Sequence, residues 1–101
     1  MSTVSIRAYE RNDLPLKERI SSLAKRFAAL KNAHGISPFD GDALYEWISQ
    51  SSDIATFQTG LLLLQLAGHE TQERFDLLSA MSAWEEDDRQ MFINFLRIWD
   101  F

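Results

Sequence analysis

The sequence predicts an all-α protein, a compact bundle of four to five helices with an extended N-terminal arm. Apolar residues recur at helical spacing over most of the chain, and glycine, proline and capping residues stand where these segments end. Only one short segment alternates in the manner of a strand, so no sheet is expected. With 101 residues, 46% of them hydrophobic and 25% charged, the chain is long enough for one domain with one core.

The predicted arm is residues 1–12, and the predicted helical domain is residues 13–101. Val4, Ile6 and Ala8 alternate with polar neighbours, which is the pattern of an extended segment. Since no second segment of this kind exists to pair with it, we expect the arm to lie on the helices or to cross to another subunit.

Helix one is predicted over about 14–33. Pro15 suits a first helical turn, where its missing N–H would have no partner, and Gly35 supplies a C-terminal stop. One apolar stripe at four-three-four-three spacing supports the helix and comprises Leu16, Ile20, Leu23, Phe27 and Leu30.

Two further helices follow a turn. The second begins near Asp42 and ends in the polar segment 49–53. The third, about 53–67, is apolar nearly all round, which predicts a position at the centre of the bundle, and Ser51 or Ser52 is expected to cap it. Gly60 would permit a close helix crossing, and Gly68 would end this helix. Together with helix one, it should form the centre of the core.

The last predicted elements are a short helix containing Phe75, Leu77, Leu78 and Met81, and a final helix that runs from Asp87 to the terminus. Between them stand four consecutive acids, Glu85, Glu86, Asp87 and Asp88. We interpret these acids as the start of a helix, because carboxylates in the first turn interact favourably with the helix dipole. In an unbroken helix Asp88 would fall within the apolar stripe, and a start at Asp87 avoids that arrangement.

The acids also form a candidate surface for a protein partner. Tryptophan is enriched at binding hot spots, and an aromatic chain end must either enter the core or dock on a partner. The candidate partner-binding residues are therefore Glu85, Glu86, Asp87, Asp88, Trp99 and Phe101.

The net charge of −5 conceals an uneven distribution. Residues 1–36 carry seven basic and three acidic side chains, whereas residues 37–101 carry three basic and twelve acidic ones. A basic segment of this kind can contact a polyanion or attract an acidic surface within the fold or between subunits. The candidate polyanion-binding residues are Arg7, Arg11, Arg19 and Arg26.

No set of residues indicates an enzyme, a metal site or a cofactor. The chain has no cysteine, only two histidines (His34 and His69), and no glycine-rich phosphate loop. The absence of cysteine favours the cytoplasm, and the N-terminus does not resemble a secretory signal. The longest run of large aliphatic residues, Leu61–Leu64, is too short to span a membrane.

Residues 52–97 resemble a family of small helical proteins of unassigned function that are carried on bacterial plasmids and integrated elements. The shared features are an early Thr/Gln pair in a leucine-rich helix (Thr56 and Gln58), the sequence Arg74-Phe75-Asp76-Leu77, and acids before Phe92, Phe95, Leu96 and Arg97. The resemblance implies a helical fold and a bacterial mobile element as the source, but no activity and no site residues.

Two functions are therefore expected from the sequence. The first is a non-catalytic cytoplasmic protein that binds another protein or pairs with itself as a homodimer, with an inhibitor or immunity-type acidic binder as one version. The alternative is a small DNA-associated transcriptional or plasmid regulator that uses the basic N-terminal third. No small-molecule substrate and no membrane contact are expected.

Overall fold

A computed structural model describes residues 14–99 of the chain. Within that range the protein is an all-α bundle without strands, as predicted. Its elements are α1 (Leu16–Ala24), a 3-10 helix (Ala28–Leu30), α2 (Gly41–Ser49), α3 (Ile54–Leu66), α4 (Leu77–Ala83) and α5 (Glu86–Ile98). The arm predicted for residues 1–12 lies outside the described residues. None of the described helices combines the length and the hydropathy that crossing a membrane requires.

Helix α3 lies at the centre of the bundle, because its apolar residues face in every direction and need neighbours on all sides. Leu61, Leu62, Leu63 and Leu64 are all buried, and α1, α2, α4 and the 3-10 helix pack around them. The sequence predicts a close helix crossing at Gly60, and the helix that crosses there is α2. A Cβ atom at this position would lie only 2.5 Å from Cγ2 of Ile48.

Three aspartates define the starts of helices. Asp40, Asp53 and Asp76 immediately precede α2, α3 and α4, and each carboxylate accepts a hydrogen bond from at least one backbone N–H of the first turn. This is the usual role of an N-cap aspartate, which satisfies donors that have no partner inside the helix. The cap of α3 is thus Asp53 and not Ser51 or Ser52, although Ser51 accepts a hydrogen bond from the Asp53 N–H.

Helix one is shorter than predicted. It ends at Ala24 instead of near residue 33, because Phe27 has an extended backbone with φ −91° and ψ 124°, and a separate 3-10 helix follows. The apolar stripe nevertheless points inward. Ile20, Leu23, Phe27 and Leu30 are buried, and only Leu16 at the start is exposed. Gly35, predicted to end this helix, lies instead in the following turn with φ +79°.

Candidate functional site

The acidic cluster divides into an exposed part and a buried residue. Helix α5 begins at Glu86, one residue earlier than predicted, so Glu86, Asp87 and Asp88 all lie in its first turn and Glu85 precedes it. Glu85, Glu86 and Asp87 are exposed, as a partner-binding surface requires. Asp88 is only 5% exposed, so its place among the candidate partner-binding residues is corrected. It lies inside the protein.

The contacts of Asp88 explain how its carboxylate is buried. One carboxylate oxygen accepts a hydrogen bond from the Ala28 N–H at 2.8 Å, and the other accepts from the Ala29 N–H at 3.0 Å. These two amides open the 3-10 helix, and the extended backbone at Phe27 keeps them out of α1. Buried charge is tolerated when hydrogen bonds replace its solvation. Asp88 therefore acts as a cap for a helix about 60 residues earlier in the chain.

A threonine attaches the same segment to the central helix. The Thr56 hydroxyl lies 2.7 Å from the Asp53 carboxylate and 3.2 Å from the Ala29 carbonyl oxygen, so it can donate its proton to either acceptor. Ala29 thus contacts α5 through its N–H and α3 through its carbonyl oxygen. These contacts fix the 3-10 helix between the two longest helices of the described chain.

Two other candidates from the sequence, Arg19 and Trp99, contact each other inside the protein. The guanidinium carbon of Arg19 lies 4.2 Å from the centre of the Trp99 ring, a cation–π arrangement, and both residues are buried. The Nε and Nη2 atoms of Arg19 have no hydrogen-bond acceptor among the described residues. Arg19 is therefore not a surface contact for a polyanion, and Trp99 enters the core.

The remaining sequence candidates have different positions. Arg26 is exposed, as predicted for a surface contact. Arg7, Arg11 and Phe101 lie outside the described residues.

A cleft of about 730 Å³ brings together basic residues that the sequence did not group. Lys25, Arg26, Lys31 and His34 line it together with Asp87 and Asp88. No ion pair among residues 14–99 involves the two lysines or Arg26. The break after Ala24 creates this arrangement, because a continuous helix would distribute these residues around its circumference.

Two glutamines on α3 hold the segment that leads into α4. The side-chain oxygen of Gln58 accepts from the Asp76 N–H at 2.7 Å, and that of Gln65 accepts from the Phe75 N–H at 3.0 Å. The seven-residue spacing that the sequence provides places both side chains on one face of α3. The two glutamines therefore stabilise the tertiary structure, because they hold the segment from which the Phe75 ring packs against Trp84 and Phe92.

Exposed apolar side chains are concentrated on the last two helices. Six large apolar residues are exposed in the described chain, and four of them belong to α4 and α5, namely Leu77, Leu78, Ile93 and Leu96. Only Trp84 and Glu85 separate these helices. Arg89 of α5 bridges them through its Nη1 atom, which donates to the Met81 carbonyl oxygen, while its Nη2 atom lies 3.2 Å from Oε1 of Glu86 on the same helix. We refer to Leu77, Leu78, Ile93 and Leu96 as the apolar surface.

The titratable groups with shifted pKa values belong to structural contacts. A hydrogen bond from Ser79, followed by backbone N–H groups, lowers the pKa of Asp76. The stabilisation from this cap is therefore present above the ordinary carboxyl range and is lost as the pH falls through the lowered value. The hydrogen bond to Glu73 raises the pKa of Tyr45. Among residues 14–99, no group of three or more acidic or histidine side chains is arranged to hold a metal ion.

Comparisons with protein-family models, with curated proteins and with solved structures each found no significant match to this chain. The resemblance of residues 52–97 to helical proteins of bacterial mobile elements therefore stays a prediction. The positions of the side chains are the observations that bear on function.

Proposed function

We propose that this protein is a non-catalytic cytoplasmic protein-binding domain that docks through the apolar surface of α4 and α5. The observation that supports the proposal is the exposure of these side chains, which reaches 79% for Leu78, 47% for Leu96, 45% for Leu77 and 39% for Ile93. Single exposed apolar residues are common on proteins, whereas four on two helices that follow each other in the chain favour a docking surface.

The charges around this surface suit a protein partner. Glu85, Glu86 and Asp87 form an exposed acidic edge at the start of α5, and Arg97 is exposed near its end. Protein interfaces commonly have an apolar centre within a polar rim, and the rim charges select and orient the partner. The acidic residues would therefore contribute specificity, while the four apolar side chains would contribute most of the affinity.

Site-specific photo-crosslinking tests the proposal. A benzophenone side chain is placed at Leu78, Ile93 or Leu96, and the full chain is irradiated both in purified form and in cells that carry its natural gene. We expect a discrete covalent adduct from these positions, because the probe would lie inside the interface. Leu16 is the matched control, since it is also an exposed leucine but lies beside α2 in a different cleft. The absence of adducts from all three positions, or an adduct from Leu16 alone, would contradict the proposal.

The basic cleft supports a second function, binding of a polyanion such as duplex DNA. Lys25, Arg26 and Lys31 are exposed, line one cleft and form no ion pair with a described residue. Clustered cations of this kind bind phosphates through the release of counterions. The net charge of −5 and the nearby acidic edge oppose this function, so it ranks second.

Binding to a short labelled DNA duplex, followed by fluorescence anisotropy at several salt concentrations, tests the second function. If the cleft binds phosphates, affinity falls steeply with salt, and the triple variant K25E/R26E/K31E loses measurable binding. K17E is the matched control, because Lys17 is exposed on α1 and lines another cleft. Equal binding by the triple variant and the wild type, or no binding at physiological salt, would eliminate this function.

A further inference from the structure

From the pattern of α5 we infer that the partner of the apolar surface is a second copy of this chain, with the two α5 helices antiparallel across a two-fold axis. The inference rests on the proposed function and names its partner. Glu86, Gln90, Ile93 and Arg97 are all exposed and recur at intervals of four, three and four residues. At 100° per residue, this spacing places them in one stripe along the outer side of the helix.

The stripe has opposite charges at its two ends. It begins with the carboxylate of Glu86, passes Ile93, and ends with the guanidinium of Arg97. When two such stripes run antiparallel, Glu86 of each copy faces Arg97 of the other, and Gln90 faces Ile93. A parallel arrangement would place Glu86 against Glu86 and Arg97 against Arg97, which is unfavourable. The order of the charges therefore selects the antiparallel pair.

Glu86 can make this contact without breaking its existing one. Its side chain is 70% exposed although Oε1 lies 3.2 Å from Arg89, so its second oxygen remains accessible. The inner side of α5 is already occupied, because Asp88, Met91, Phe92 and Phe95 are buried against the bundle. The outer stripe is thus the part of α5 that can meet another helix.

The size of a stable interface requires that the pair of copies uses α4 as well as α5. Helix α5 has 13 residues and is therefore about 20 Å long. A specific interface buries at least about 1,000 Å² in total, which exceeds what one short helix pair provides. Leu96 on the flank of the stripe would supply additional area, and a symmetric contact of α4 through Leu77 and Leu78 would have to supply the rest. A two-fold axis uses each of these residues twice, which is characteristic of isologous dimers.

Charge reversal and its restoration test the inference, with sedimentation equilibrium as the measurement. The wild-type chain is expected to sediment at twice its monomer mass of 11.7 kDa. E86R and R97E should each weaken the dimer about tenfold, because each change makes two repulsive contacts across the axis, and E86R/R97E should recover most of the affinity. E46R, at an exposed position of α2, is the charge-matched control and should leave the dimer unchanged. Circular dichroism of every variant checks that it remains folded.

Disulfide formation between introduced cysteines tests the register of the two α5 helices. Because the chain has no cysteine of its own, any disulfide must come from the introduced residues. An oxidised mixture of Q90C and I93C should form the mixed disulfide in preference to either symmetric one.

A wild-type chain that sediments as a monomer, or a double variant E86R/R97E that dimerises as weakly as its single parents, would overturn the dimer. If the chain is a monomer, a photo-crosslinked adduct whose mass differs from that of two copies would still support the proposed function. The absence of any adduct would contradict both the dimer and the proposed function.

Discussion

Replacing Asp88 with alanine is expected to lower the free energy of unfolding by about 3 kcal/mol. The side chain is buried and makes two hydrogen bonds to the amides of Ala28 and Ala29, at 2.8 and 3.0 Å. Hydrogen bonds to a charged group are worth about 1.5–3 kcal/mol each, and an amide left without an acceptor adds its own cost. Urea unfolding followed by circular dichroism measures the change.

Asp87 provides a closely matched control, because it is the neighbouring aspartate in the same helical turn but is exposed. D87A should lose at most about 0.5–1 kcal/mol, the value of one acid near a helix N-terminus. D88N should resemble D88A, since an amide keeps only one acceptor oxygen and turns an NH2 group toward the second backbone donor. If D88A and D87A had equal effects, the tertiary cap would contribute no stability of its own.

The sequence was most informative where the signals are local. Helix α3 was expected over about 53–67 and spans Ile54–Leu66, because a leucine-rich segment and Gly68 define it locally, although its cap is Asp53 and not the predicted Ser51 or Ser52. A close helix crossing at Gly60 was also expected from a local signal, since a glycine inside an apolar helix usually marks a contact, but the sequence did not identify α2 as the crossing helix.

Predictions from the sequence were wrong where a contact between residues far apart in the chain determines the local structure. The apolar spacing of residues 16–30 is the same whether helix one continues or breaks, and the acceptor for the Ala28 and Ala29 amides after the break is Asp88, about 60 residues later in the chain. No pattern in either segment identifies the other. The four acids were correctly interpreted as a helix start, but only the tertiary structure separates Asp88 from its exposed neighbours.

The predictions for the candidate site residues were likewise right for some exposed residues and wrong where contacts between distant residues matter. Glu85, Glu86 and Asp87 were expected at the surface and are exposed, whereas Asp88 was expected there too and is buried. Arg19 was expected at the surface but is buried under Trp99, an interaction between residues 80 positions apart. The basic cleft of Lys25, Arg26 and Lys31 also depends on the break after Ala24, so sequence reasoning could not assemble it.

Replacing Trp84 with alanine is expected to have the largest effect, a loss of about 4 kcal/mol of unfolding free energy. The ring is 2% exposed and packs against three phenylalanines at centroid distances of 5.8, 6.2 and 5.2 Å. These phenylalanines come from three separate segments: Phe27 immediately precedes the 3-10 helix, Phe75 lies just before α4, and Phe92 belongs to α5. Truncation of a buried aromatic residue to alanine typically costs about 3–5 kcal/mol. Trp47, which is only half-buried, is the matched control, and W47A should cost less than half as much in the same urea titration.

The indole N–H of Trp84 allows the polar part of this effect to be measured separately. It donates to the Thr59 hydroxyl at 2.7 Å, which in turn donates to the Ala55 carbonyl oxygen at 2.6 Å. T59V keeps the shape of the side chain but leaves a buried donor unpaired, so a loss of about 1–3 kcal/mol is expected. In W84F/T59V both partners are absent, and the loss should be smaller than the sum of the two single losses. Additive losses would show that the hydrogen bond contributes nothing beyond packing, and the role of Trp84 would then lie entirely in its ring contacts.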